Sequence, residues 1–129
     1  MSEAERMLRR VRLELARDHD FPHGSSEHGY DFIAPLDRQG HIDLNAWQEL
    51  RARCRVRRFW GNEREEVGHI VHKRGRSWAF HYDVHGDPSH DEAGFRFDSH
   101  AFLPGEYVSI REQDGALRTF RVKSAVELD

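Results

Sequence analysis

From Arg55 onward the hydrophobic pattern of this chain has a period of two, broken at short intervals by glycine-containing turns. Side chains of an extended strand point alternately to opposite faces, so this pattern encodes half-buried strands. Val56 to Trp60, Val67 to Lys73 and Ser77 to Asp83 read as strands, the last two joined at Arg74-Gly75. Gly94 to Asp98 fits a further short strand. Glu106 to Arg111 and Leu117 to Val126 read as another hairpin, closed by Gln113-Asp114-Gly115. Connections this short permit only antiparallel pairing, because a parallel crossover needs roughly a dozen residues. Nothing after residue 55 supplies the helix of a βαβ unit, which excludes a parallel α/β architecture.

The first part of the chain is read differently. Ser2 and Glu5 have the spacing of a capping box, and Ala4, Met7, Leu8, Val11 and Leu15 recur at three and four, which predicts a helix over 3–17. Arginines surround this stripe, but it lacks the aromatics of a membrane-surface helix, so docking on a sheet is expected. Residues 18–29 form a polar linker punctuated by Pro22, Gly24 and Gly29. Tyr30 to Leu36 alternates as a strand. Asp43 can then cap a short helix to about Arg53, with Leu44, Trp47, Leu50 and Cys54 on its inner side. The expectation is an α+β fold in a single domain, 1–129, with the helix 3–17 beside a β-rich body, 30–126. That body is a bent antiparallel sheet or a partly open small β-barrel, with a short helix near 43–53.

With 129 residues the chain can bury enough surface to fold without a metal or disulfide staple. Its one cysteine, Cys54, excludes an internal disulfide and fits a reducing compartment. The N-terminus has no basic segment leading into an apolar run, and no apolar stretch is long enough to span a membrane, so a cytoplasmic protein is expected. The formal net charge of -3 argues against indiscriminate nucleic-acid binding.

Three groups of residues could carry chemistry. Arg51, Arg53, Arg55 and Arg57 recur at period two beside Phe59 and Trp60. If extended, this run lines one face with guanidiniums, and the adjacent Phe59 and Trp60 supply flat rings, which suits an anionic small molecule or a single nucleic-acid strand. The candidate ligand-binding residues are therefore Arg53, Arg55, Arg57 and Trp60. The competing reading is a surface neutralised by acids, with Glu63, Glu65 and Glu66 close at hand. His81, His85, Asp87 and His90 have donor types suited to zinc or manganese and would serve a metal-assisted hydrolase or isomerase, though no metal-binding spacing motif accompanies them. Cys54 sits among arginines that favour a thiolate, yet it occupies an apolar position in either a helix or a strand, which favours burial. The aromatics Trp47, Trp60, Trp78, Phe80, Phe95, Phe97, Phe102, Tyr107 and Phe120 are expected to fill the core, with one or two rings at a mouth.

Pro104-Gly105-Glu106-Tyr107-Val108 resembles the Pro-Gly-Gln-Tyr-Val segment in the flavin-binding barrel of ferredoxin-reductase-like enzymes. That family grips its flavin with a downstream Arg-x-Tyr-Ser block, which Arg118-Thr119-Phe120-Arg121 does not match. The resemblance therefore implies a turn feeding a barrel strand. No catalytic constellation emerges, and a non-catalytic binding or interaction module is the favoured reading. Self-association through the edge strands of an incomplete barrel, as a homodimer, is the structural alternative.

Overall fold

The computed structural model describes residues 2–74, 77–83, 92–95 and 101–128, with the backbone alone for 92–95. A four-residue helix, α1 (Glu3–Arg6), leads into β1 (Leu8–Leu15) and β2 (Ser25–Pro35). Helix α2 (Leu44–Leu50) and a 3-10 turn (Arg51–Arg53) follow. Then come β3 (Arg55–Trp60), β4 (Glu66–Lys73), β5 (Ser77–Tyr82), β6 (Glu92–Phe95), β7 (Tyr107–Arg111) and β8 (Leu117–Glu127). Each strand pairs antiparallel with the next, and β8 returns to pair with β1, so the sheet closes into an eight-stranded barrel.

The α+β class and the antiparallel, barrel-like sheet agree with the sequence pattern. The long N-terminal helix does not. The capping box forms, with Ser2 Oγ accepting from the Glu5 amide and Glu5 Oε1 accepting from the Ser2 amide, both at 3.0 Å. The helix nevertheless stops after Arg6. Val11, Leu13 and Leu15 alternate inward as strand residues, while Arg10, Arg12 and Glu14 face outward. Leu8, Val11 and Leu15 fit a helical stripe equally well locally, and pairing with β2 on one side and β8 on the other decides the outcome. This strand also closes the ring, so the expected open edge for pairing between subunits is absent among the described strands.

Inward residues fill the barrel. Tyr30 packs on Phe80 and Phe120 with ring centroids 5.0 and 5.1 Å apart, and Phe32 packs on Phe102 at 5.2 Å. These tilted and edge-on pairs suit the quadrupoles of the rings. Gly29 stands where β1 and β2 approach closely. A Cβ there would lie 1.9 Å from the Leu13 carbonyl oxygen. Helix α2 begins as expected, with Asp43 Oδ1 accepting from the Ala46 amide at 2.9 Å. Trp47 is buried from this helix, and its indole N–H donates to the Ile70 carbonyl at 3.1 Å. Leu44, expected on the inner side, is exposed instead. The turn at Pro104-Gly105 feeds β7, with Gly105 at φ 93°. The β4–β5 hairpin is in register from Lys73↔Ser77 to Gly68↔Tyr82. Gly75 and Phe97 lie outside the described residues.

Candidate functional site

Strand polarity places the β1–β2, β3–β4 and β7–β8 connections at one end of the barrel. Here charged side chains occupy the inward parity of their strands, among them Arg58, Arg118, Glu112 and Glu66, the last opposite Arg58 in register and in line with Gly68 and Ile70. Arg58 follows Val56 and precedes Trp60, Arg118 precedes Phe120 and Val122, and Glu112 continues the line of Val108 and Ile110. Glu112 is only 6% exposed. It accepts from the Tyr30 hydroxyl at 2.6 Å and from Arg58 Nε at 3.3 Å, and its other oxygen lies 3.1 Å from Arg118 Nε. That last pair is close enough for charge attraction but lacks hydrogen-bond alignment. Arg118 is held further by Asp18 at 2.8 Å and Asp20 at 3.4 Å, both from the β1–β2 connection. Burial disfavours the Arg118 charge, but Asp18 and Glu112 outweigh it and hold its proton more tightly than usual.

Trp60 sits in this cluster as a ring at the mouth. The Arg58 and Arg118 guanidinium carbons lie 4.3 and 5.3 Å from its ring centroid. His28 meets it edge-on at 4.7 Å, and Phe21 packs on His28 at 4.4 Å. Desolvated charges are costly unless paired, and here each inward charge faces an opposite one. The arrangement fills this end of the barrel, among the described residues, with paired charges and rings.

The candidate arginines of β3 are also paired. Arg53, in the 3-10 turn, meets Glu5 at 3.0 Å. Arg55 meets Asp83 at 3.0 Å and donates to His69 Nε2 at 2.8 Å. A guanidinium can only donate, so His69 carries its proton on Nδ1, which faces Asp83 at 3.3 Å. Arg57 bonds Asp31 and meets Glu65 at 2.9 Å. The Asp31 bond leads the causes that raise its pKa. Arg55 and Arg57 share the outer face as the alternation predicts, whereas Trp60 points the other way, into the mouth.

Of the candidate metal ligands, His81 lies on β5 opposite His69 in register. His85, Asp87 and His90 lie outside the described residues. Among the described residues no group of three or more histidine, cysteine or carboxylate side chains is placed to hold a metal ion. Cys54 is fully buried, and burial pushes its thiol up to about 12 against the opposing pull of Arg53. At neutral pH it is a protonated core residue, unsuited to nucleophilic attack.

A groove of about 790 Å³ lies on the outer surface, where β1, β8 and the start of β2 meet. Its walls carry Arg17, Arg121, Lys123 and His23, with Ser25, Ser26 and Thr119 between them and Tyr107 at one side. Arg121 and Lys123 are exposed at alternate positions of β8, whose intervening Val122 is buried. Unlike the β3 arginines, Arg17, Arg121 and Lys123 have no ion-pair partner among the described residues. The one carboxylate in the wall, Glu14, is engaged by Arg12 at 2.8 Å. Gly24 shapes the rim at φ 73°, where a Cβ would lie 2.7 Å from the Leu15 carbonyl oxygen.

Sequence reasoning missed two things here. The inward charges Arg58, Glu112 and Arg118 were visible as charges at apolar parity. The groove had no local signal, because it needs β1 beside β8. No protein-family model matches the chain, and no curated protein or solved structure is detectably similar to it. No helix among the described residues is long and apolar enough to cross a membrane.

Proposed function

We propose that this small α+β protein is a non-catalytic binding module that takes an anionic ligand in the groove along β1 and β8. The observation that carries the reading is the set of unneutralised cations, Arg17, Arg121 and Lys123, around a concavity with one carboxylate already engaged. An unpaired surface cation keeps its full attraction for an incoming anion, whereas a paired one must first give up its partner. The ring-filled interior favours an external site over one inside the barrel. The lone buried thiol, Cys54, fits work in a reducing compartment such as the cytoplasm.

Calorimetric titration with inorganic tripolyphosphate tests the reading. Binding is expected at ~50 mM salt and should weaken as salt is raised. The double variant Arg121→Gln/Lys123→Gln should lose roughly tenfold in affinity, as expected when two anion contacts are removed. No binding by folded wild-type protein, or binding indifferent to the double variant, contradicts the proposal.

A further inference from the structure

We infer that the groove takes a single nucleic-acid strand, its phosphates on Arg121 and Lys123 and a base on Tyr107; this rests on the anion-binding reading above. Tyr107 is 55% exposed at the start of β7, and its Cα partner across the strand pair is Arg121. Directly opposed residues share a face with their Cβ atoms about 5 Å apart, so ring and guanidinium stand side by side at the groove. A ring left in water beside an unpaired cation offers a stacking surface with a phosphate anchor next to it.

The cations are also spaced for a chain. Arg121 and Lys123 project from the same face two residues apart, which is about 7 Å along a strand. Successive phosphates of an extended single strand lie at a similar separation. Ser109 and Thr119 form the next cross-strand pair on this face, their hydroxyls 3.4 Å apart, and add donors for sugar or phosphate oxygens. Small-molecule pockets are mostly apolar and enclose their ligand. This groove is open and lined mainly by polar and charged side chains, which suits a polymer that enters and leaves. Duplex DNA would need a broad cationic surface, but the chain carries a net charge of -3. The binding cations are confined to one strip, and the affinity is correspondingly modest and sensitive to salt.

Fluorescence anisotropy with short labelled oligo-dT and oligo-U strands, and with a duplex of equal length, tests this at ~50 and ~200 mM salt. Both single strands are expected to bind, more weakly at the higher salt, and the duplex at least tenfold more weakly. Tyr107→Ala and Arg121→Gln/Lys123→Gln should each weaken single-strand binding by roughly tenfold, within the range set by one stacked base or two phosphate contacts. Arg55→Gln/Arg57→Gln should leave it unchanged. Circular dichroism confirms that each variant is folded. Tripolyphosphate binding without oligonucleotide binding overturns this inference and leaves the anion site standing. Oligonucleotide binding indifferent to Tyr107→Ala, or equal binding of the duplex, also overturns it. If neither polyphosphate nor oligonucleotide binds, both readings fall.

Discussion

The outer faces of β3 and β8 both carry cations at alternate positions, and they differ in what their neighbours supply. Beside β3, strand β2 brings Asp31, the β3–β4 connection brings Glu65, and the end of β5 brings Asp83, so Arg55 and Arg57 are neutralised within the fold. Beside β8, strand β7 brings Tyr107 and Ser109, and β1 brings Glu14, which Arg12 already holds. Arg121 and Lys123 keep their charge for solvent or a ligand. A run of arginines in a sequence counts cations. Cross-strand neighbours decide which of them are available.

The same distinction divides the two faces of β8. Inward Arg118 belongs to the mouth cluster, and outward Arg121 to the groove. Replacing Glu112 by Leu removes the buried carboxylate that Arg58 and Arg118 share and that accepts from the Tyr30 hydroxyl. Breaking a buried ion pair from one side should cost about 3 kcal/mol. Arg121→Gln/Lys123→Gln, on the exposed face, should stay within ~0.5 kcal/mol of wild type. Urea unfolding of the two variants checks this contrast. Equal stabilities would mean that the mouth cluster does not hold the barrel together.

A smaller effect is expected from converting one face into the other. Asp31 sits between Arg12 and Arg57 and meets both. Asp31→Asn removes that neutralising charge and should add a weaker site for tripolyphosphate, raising the total uptake seen by calorimetry. A few-fold affinity is in keeping with the small worth of half-exposed charge contacts. Unchanged uptake would show that something other than pairing keeps the β3 face from binding.

Much of the barrel was legible because its signals are local. The Ser2–Glu5 box, the Asp43 cap, the Pro104-Gly105 turn and the alternation of β3, β4, β5, β7 and β8 depend on residues close in sequence. Strand β1 was hidden because Leu8, Val11 and Leu15 fit a helical stripe while Val11, Leu13 and Leu15 fit a strand, and only β2 and β8 choose between them. The core role of Phe80, Phe102 and Phe120 followed from their chemistry, whereas Tyr107, expected with them, stands exposed on the outer face. The mouth charges were readable in principle, since Arg58 stands between Val56 and Trp60 on the buried parity. The groove was not, because its two sides come from opposite ends of the chain and meet only when the barrel closes.

The central claim is that Arg17 of the β1–β2 connection and Arg121 and Lys123 of β8, and not the paired arginines of β3, receive an anion. Backbone amide NMR of the labelled protein, titrated with tripolyphosphate, locates the bound anion directly. Saturable shifts should centre on Arg17, Gly24, Ser25, Thr119, Arg121 and Lys123, with Arg53, Arg55 and Arg57 unmoved. Shifts centred on Arg53, Arg55 and Arg57, or no saturable shift at all, would contradict the account.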